Sequence, residues 1–275
     1  MTYASLMVNV EPGHSNAGLL RIAGDLAERF HARVIGIAAR QPLQAIYGNE
    51  FISGSVIEQD RVEIEKEIKT AEAEFHNALQ GRAATLEWRS TVTYGLLSDY
   101  LAREARSADL VITGAASGAF LDAARRVDSG ALVMQVGRPT LIVPAAVDRL
   151  KLERVIVAWK DTREARRAAF DALPLLKEAA HVTVVEIAAE AQLAMARVRV
   201  EDVVGWLKRH GIAAEPLTFP SMYEDAGRLN TIAEQQGADV IVAGAYGHSR
   251  LREFVLGGVT RDLLLRADRC SLVSH

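Results

Sequence analysis

Short apolar runs alternate with longer amphipathic stretches along the whole chain. Ten of the short runs are rich in β-branched residues and predict strands at 5–10, 33–38, 85–92, 109–113, 140–144, 154–159, 181–187, 213–219, 239–243 and 270–274. The longer stretches place apolar residues on one helical face: Leu19, Ala23, Leu26 and Phe30, then Ile57, Ile64, Ile68, Ala71, Phe75 and Leu79, then Ala196, Val200, Val203 and Leu207. Strands that are apolar on both faces and alternate with helices predict a parallel sheet covered on both sides.

An internal repeat divides this pattern into two halves. Residues 108–115 read ADLVITGA, and residues 238–245 read ADVIVAGA, 130 positions later. The apolar runs 5–10 and 154–159 open the two halves in the same way. We therefore predict an α/β protein with two tandem domains, 1–147 and 148–275, each a doubly wound, Rossmann-like, five-stranded parallel sheet. In such sheets a ligand binds beyond the carboxyl ends of the strands.

Composition narrows the classes of function. The 275 residues carry 32 basic and 35 acidic side chains, a net charge of -3. Binding to phosphate backbones usually shows as an excess of basic residues, which this chain lacks, so we do not expect a dominant nucleic-acid-binding surface. The chain has a single cysteine, no leader pattern of basic and then apolar residues, and no apolar run of ~18 residues. We therefore expect a cytoplasmic protein without a membrane-spanning helix.

A group of glycines in the second half is the strongest candidate for chemistry. Gly244 ends a predicted strand, Gly247 follows, and the pair Gly257 and Gly258 precedes the helical sequence VTRDLLLRA. Glycines allow a backbone to approach a ligand closely, and the first amides of a helix attract anions. A hydroxyl on Thr260 adds a donor for a phosphate oxygen. The pattern predicts an anion site.

The spacing of these glycines resembles that of universal stress proteins, whose nucleotide-binding members have G-x2-G-x9-G followed by Ser or Thr. Gly244, Gly247 and Gly257 match the three glycines, whereas Gly258 stands at the hydroxyl position. The resemblance implies that the backbone around Gly258, Val259 and Thr260 contacts phosphates. It extends over both halves and implies an adenine nucleotide, ATP or ADP, bound alone or with Mg²⁺.

The same resemblance places the adenine at the ends of the first two strands of the second half. These positions map onto Ala158, Trp159, Glu186 and Ile187. The family has an aspartate just after its first strand, where this chain has Lys160 followed by Asp161. Asp161 is the candidate replacement, and with Glu164 it also resembles a capping box. His248 follows Gly247 and is either a solvent-facing loop residue or a ligand contact.

The first half matches the glycine pattern poorly. Gly114 aligns with Gly244, but Ser117 replaces the second glycine, and Val127 and Asp128 stand where the glycine pair would be. A carboxylate at Asp128 repels phosphate. We expect that the first half does not bind ATP in the same manner.

Other chemistry is not indicated. The sequence contains no P-loop, no G-x-G-x-x-G fingerprint, no nucleophile elbow and no histidine spacing typical of a metal site. Cys270, Trp88 and Trp206 fall on predicted packed faces and are interpreted as core. We expect no catalytic residues, or at most slow ATP hydrolysis.

Three hypotheses for function remain. The first is nucleotide-dependent regulation of an unidentified protein partner. The second is an interaction scaffold in which both sites are degenerate. The third is an ATP-using enzyme of the related α-hydrolase group, although the chain lacks the S-G-G-x-D-S type of loop that these enzymes have after the first strand.

The resemblance also has consequences for assembly and for mutagenesis. Single-domain members dimerise through the last strand, so in a tandem chain 140–144 is expected to meet 270–274 within the chain, and a homodimer is a further option. If Gly244 serves the ligand, the substitution Gly244→Val is expected to abolish nucleotide binding without unfolding the chain.

Overall fold

Strands and helices alternate in the computed structural model, which describes residues 2–43, 53–115, 125–221, 225–245 and 268–275. The strands are β1 (Ser5–Asn9), β2 (Arg33–Arg40), β3 (Leu86–Val92), β4 (Leu110–Gly114), β5 (Thr140–Val143), β6 (Arg154–Trp159), β7 (His181–Ala188), β8 (Ala214–Pro220), β9 (Val240–Gly244) and β10 (Cys270–Ser274). The α-helices are α1 (Ala17–Phe30), α2 (Gly54–Leu79), α3 (Leu97–Glu104), α4 (Ser129–Val136), α5 (Arg163–Asp171), α6 (Leu173–Lys177), α7 (Leu193–Arg209) and α8 (Asp225–Gln235). All ten predicted strands are confirmed.

The predicted helical faces form much of the core. Leu19, Ala23 and Leu26 of α1 are buried, and so are all four predicted residues of α7. In α2 the buried set is Ile64, Ala71, Phe75 and Leu79, while Ile57 and Ile68 are only partly covered. Most of the burial therefore follows from the period of the sequence pattern.

Chain contacts divide the molecule into two compact units. The first consists of residues 3–136 with 145–149, and the second of residues 137–144 and 150–275 with the first two residues. In the first unit β1 pairs with β2 and β4, and β2 pairs with β3, all in parallel. Met7 and Val111 of this sheet share a buried cluster with Leu101 of α3 and Leu132 of α4.

The second unit has the same parallel core and one added strand. Parallel pairs join β8 to β7, β7 to β6, β6 to β9 and β9 to β10. β5 pairs with β10 in the antiparallel direction, with Leu141 opposite Leu272. The expected contact between 140–144 and 270–274 is thus present within the chain.

The position of β5 differs from a purely parallel five-stranded sheet. All four residues of β5 and all five of β10 are buried, so neither strand is suited to an open edge. An uncovered apolar edge would invite pairing with another chain. The pairing of β5 with β10 covers the edge of β10.

Two aspartates of the repeated sequence make the same contacts in the two units. Asp109 Oδ2 accepts hydrogen bonds from the backbone N–H groups of Ala4 and Ser5, at 2.9 and 3.0 Å. Asp239 Oδ2 accepts the equivalent bonds from Glu153 and Arg154, also at 2.9 and 3.0 Å. Asp109 therefore ties the start of β1 to the start of β4, and Asp239 ties the start of β6 to the start of β9. None of the helices in the described ranges is long and apolar enough to cross a membrane.

Candidate functional site

The carboxyl ends of the second unit's parallel strands form one edge of its sheet. Most of the described residues that the sequence pattern singled out lie at this edge. β6 ends at Trp159, which lies beside Glu186 of β7, and Ala158 lies beside Ala243 at the end of β9. Because these strands are parallel, their carboxyl ends meet at the same edge. Predicted residues brought to this edge are Ala158, Trp159, Glu186, Ile187 and Gly244.

Gly244 is explained by packing against the first turn of α5. A Cβ at this position would lie 2.5 Å from the backbone nitrogen of Ala165 and 2.5 Å from the carbonyl carbon of Glu164. The backbone that approaches Gly244 closely is therefore the protein's own. Gly244 needs no positive φ angle. A valine at Gly244 would collide with the backbone of α5, so Gly244→Val disturbs packing as well as any ligand contact. That the variant stays folded remains a prediction.

The start of α5 also differs from the predicted capping box. Thr162, not Asp161, is the N-cap, and its hydroxyl accepts a hydrogen bond from the Ala165 N–H at 3.3 Å. The Thr162 N–H bonds the Lys160 carbonyl at 2.7 Å, and this turn leaves Asp161 outside the helix. Asp161 instead forms an exposed ion pair with Arg166 at 2.5 Å.

A buried carboxylate lies beside Gly244 at the beginning of α5. Glu164 is buried and pairs with the exposed Arg163. Burial by itself would raise the pKa of the Glu164 carboxyl, but hydrogen bonds from Arg163 and from its own backbone N–H outweigh burial and lower that pKa. Glu164 is therefore a charged carboxylate at this edge, and Arg163 balances its charge within the protein.

Glu186 is the second buried carboxylate at this edge. The residue is 3% exposed, and its carboxylate accepts hydrogen bonds from Arg199 of α7, with Nε 3.1 Å from Oε1 and 3.2 Å from Oε2 and a further contact from Nη2. These bonds raise the pKa of Arg199 above its ordinary value, against the opposing effect of burial. Arg199 was not found from the sequence, because nothing local relates it to Glu186.

Trp159 is the one aromatic side chain at this edge among the predicted site residues. It is half-buried, and its Nε1 is buried without a hydrogen-bond partner among the described residues. A buried indole N–H usually finds an acceptor. Trp159 therefore offers part of its side-chain surface at this edge, whereas its indole N–H is not accessible from solvent.

A groove extends from this edge between α5 and α7. Its volume is about 660 Å³, and Trp159 and Asp161 line it together with Arg166, Phe170, Arg199 and Trp206. The sequence pattern does not predict this groove. The interpretation of Trp206 and Trp88 as core residues is only partly right, because each remains partly exposed. The residue that could have indicated the groove is Phe170, a large aromatic side chain that α5 leaves exposed.

The remaining predicted site residues lie outside the described ranges. They are Gly247, His248, Gly257, Gly258, Val259 and Thr260. Within the described ranges, no group of three or more His, Cys, Asp or Glu side chains is suited to hold a metal ion.

The equivalent edge of the first unit is occupied by the chain's own side chains. Glu11, just after β1, pairs with Arg126 at 2.5 Å, and both side chains are largely buried. The carboxylate of Glu11 lies 3.9 Å from where a Cβ on Gly114 would stand. Asn9 donates a buried hydrogen bond to Thr113 at 3.0 Å. An internal ion pair thus lies beside Gly114, the residue that aligns with Gly244.

The helix that follows this edge is capped internally as well. Asp128 Oδ1 accepts hydrogen bonds from the N–H groups of Gly130 and Ala131 in the first turn of α4, at 2.9 and 3.0 Å. These are the amides that would attract an anion at a helix start. Arg125, next to this cap, pairs with Asp60 at 2.6 Å. The carboxylate of Asp128 therefore takes the place of an external anion.

Cys270 is buried at the start of β10, as predicted. Burial and the nearby charge of Asp239 raise the pKa of its thiol to about 12. Because the thiolate is the reactive form, such a thiol is a poor nucleophile. Cys270 thus serves the core.

Comparison with known proteins identifies the fold. No protein-family model and no curated protein matches the sequence. Among solved structures, a universal stress protein from Archaeoglobus fulgidus has a TM-score of 0.71 at 14% identity, over 98% of this chain and 97% of that one. A putative universal stress protein from Pseudomonas aeruginosa has a TM-score of 0.63 at 15% identity, over 99% and 93%. A functionally unknown protein from the same species has a TM-score of 0.65 at 16% identity, over 99% and 92%.

At these identities the likeness concerns architecture. The protein is a member of the α/β class with a mostly parallel central sheet. More particularly, it has the fold of the universal stress proteins, over nearly its whole length.

Proposed function

We propose that this chain is a stress-response protein of the universal stress protein family that binds ATP or ADP in its C-terminal half. Binding would shift the population of surface conformations and thereby alter the affinity for a protein partner, without catalysis. A cytoplasmic location belongs to the same proposal. So does the division into two repeated domains, 1–147 and 148–275, which the matching contacts of Asp109 and Asp239 support.

The position of Trp159 carries the proposal. The residue is partly exposed and stands at the carboxyl ends of parallel strands, where the fold binds ligands. A purine offers a flat face that can stack on an indole ring. The sequence after Gly244, outside the described ranges, supplies the glycines and Thr260 for the phosphates.

The first unit's edge supports binding at one site per chain. There Glu11 and Arg126 neutralise each other, and Asp128 occupies the amides of α4. A nucleotide would have to displace a largely buried ion pair, and breaking such a pair costs several kcal/mol. We therefore assign the nucleotide to the second half alone.

Calorimetric titration of the full chain with ATP and with ADP tests this function. We expect binding with a stoichiometry near one, and about tenfold weaker binding in Trp159→Leu, since stacking of a base on an aromatic ring contributes ~1–3 kcal/mol. Trp88→Phe is the matched control and should bind as the unchanged chain does. Folded protein that releases no heat with millimolar ATP or ADP would remove the proposal.

A scaffold without nucleotide is the second candidate. Gly244 is already explained by its contact with α5, and Asp161 is engaged by Arg166. Both observations remove a reason to require a ligand. Nucleotide released on denaturing freshly purified protein, and measured by its absorbance, would argue against the scaffold.

A further inference from the structure

The groove between α5 and α7 has the size and lining of a ligand site. α5 packs against β9 and β10, whereas α7 packs against β7 and β8, so the helices leave a space over the middle of the sheet. In the first unit the equivalent helices, α1 and α2, pack against each other. The groove's volume of about 660 Å³ lies within the range of small-molecule pockets.

Aromatic side chains line both walls of the groove. Phe170 of α5 is 44% exposed, although a phenylalanine is usually buried. Trp206 of α7 faces the same space and is held edge-on by His210, with ring centroids 4.7 Å apart. Two aromatic walls favour a flat aromatic ligand, because such rings stack or meet edge to face.

The polar lining is rich in hydrogen-bond donors. Three guanidinium groups line the groove, those of Arg166, Arg199 and Arg209. The first two have carboxylate partners, Asp161 and Glu186, but a guanidinium has five N–H donors, and these pairs leave some of them unused. Arg209 has no acidic partner among the described residues.

Acceptors are fewer in the same lining. Its carboxylates are Asp161, which Arg166 already engages, and Asp202 on α7. Glu186 is buried behind Arg199 and is not part of the lining. When Glu186 is counted with its partner Arg199, the charges around the groove balance, and Arg209 is the guanidinium of the lining without an acidic partner among the described residues.

We propose that this groove binds a planar aromatic anion, with its ring between Phe170 and Trp206 and its acidic group at Arg209. The acidic group is a carboxylate, sulfonate or phosphate, since a guanidinium pairs with each of them. Trp159 and Asp161 line one end of this groove and also belong to the proposed nucleotide site, so the two sites are neighbours. The aromatic anion is assigned to the part of the groove at Phe170, Trp206 and Arg209, and this assignment does not depend on nucleotide binding.

Fluorescence titration with anilinonaphthalenesulfonate, an aromatic sulfonate with a planar naphthalene ring, tests the proposal. Its neutral analogue, phenylnaphthylamine, should bind at least tenfold more weakly, and equal affinity would overturn the role of charge. Arg209→Gln and Trp206→Leu should each weaken binding of the sulfonate about tenfold, the factor that corresponds to ~1.4 kcal/mol.

Two further variants make the test directional. Asp202→Asn removes the one carboxylate of the lining without an assigned partner and should tighten binding about twofold, whereas weaker binding would contradict the proposed position of the anion. Trp88→Phe should leave the affinity unchanged. Circular dichroism of each variant establishes that it is folded, and unchanged affinity in folded Arg209→Gln and Trp206→Leu would overturn the proposal.

A competition experiment separates this site from the nucleotide site. If the two sites are distinct, ATP at saturating concentration should leave the sulfonate bound. Competitive displacement by ATP would show that the groove belongs to the nucleotide site and would overturn the proposal. Absence of ATP binding would remove the proposed nucleotide function but would leave the sulfonate titration as it stands.

Discussion

Gly244 lies so close to Ala165 that a Cβ on the glycine would come within 2.5 Å of the Ala165 backbone nitrogen. Because the contact is with backbone, α5 would have to move away from the end of β9 to admit any side chain. At the aligned Gly114 of the first unit, a Cβ would have only a carboxylate oxygen of Glu11 nearby, at 3.9 Å. The two aligned glycines therefore lie in different surroundings: Gly244 packs against backbone, whereas Gly114 has room for a side-chain carbon.

Gly244→Ala should destabilise the chain, and Gly114→Ala should not. Forcing an extra methyl group into a packed contact costs ~1–3 kcal/mol, whereas a contact at 3.9 Å is ordinary van der Waals distance. Thermal unfolding of the two variants, followed by circular dichroism, measures the difference. Equal melting temperatures would mean that α5 relaxes away from β9 at little cost.

Arg199→Ala should destabilise the second unit by about 3 kcal/mol. The substitution leaves the Glu186 carboxylate buried without its bidentate partner, and breaking a buried pair from one side costs ~3–5 kcal/mol. Arg197→Ala is the matched control, because Arg197 is exposed on the same helix. Denaturant unfolding of both variants provides the comparison. If they unfold alike, solvent reaches Glu186 and compensates for the lost arginine.

Asp109→Asn and Asp239→Asn should cost similar amounts, about 1–3 kcal/mol each. Each aspartate accepts two backbone hydrogen bonds at one carboxylate oxygen, and hydrogen bonds to a charged group contribute ~1.5–3 kcal/mol. Hydrogen exchange at Ser5 and Arg154 reports on each site separately. A large effect at one site alone would contradict an equivalent role in the two units.

Cys270 should react with a thiol reagent only after unfolding. With a folded pKa of about 12, raised by burial, its thiolate fraction at neutral pH is minute. The same shift makes stability depend on pH. Since the thiol of the unfolded chain ionises near its ordinary pKa of 9.0 and the folded thiol does not, this contribution is complete below pH 9 and is lost as the pH rises towards 12.

The reactivity of Cys270 is measured with the native protein, and alkaline unfolding is compared between the native protein and Cys270→Ala. The native protein should lose stability between pH 9 and 12 relative to the variant. Rapid modification of folded protein would contradict the burial of the thiol.

Local pattern explains why so much of the fold was predictable. Strand and helix periods depend on residues close in sequence, so all ten strands were found, and the apolar face of α7 was buried as expected. The repeat of ADLVITGA and ADVIVAGA indicated two related halves, and the structure shows that its two aspartates make equivalent contacts. The burial of Cys270 followed from the apolar run around it.

The site depended on contacts between residues far apart in sequence. Glu186 and Arg199 meet across a strand and a helix, and Glu11 meets Arg126 only after β1 and β4 are paired. The pattern of residues along the chain does not show which distant residues will meet. The capping prediction at Asp161 failed for a related reason, because the turn that follows β6 places Thr162, one residue later, at the start of α5.

By itself, the sequence determined the α/β class, the order of the strands and helices along the chain, and the residues that face the core, because hydrophobic period acts over a few residues. Only the tertiary structure decided that β5 runs antiparallel to β10, that Gly244 accommodates α5 and that a groove lies between α5 and α7. These features arise where separate elements meet, and the distance between two packed elements is set by all the side chains between them.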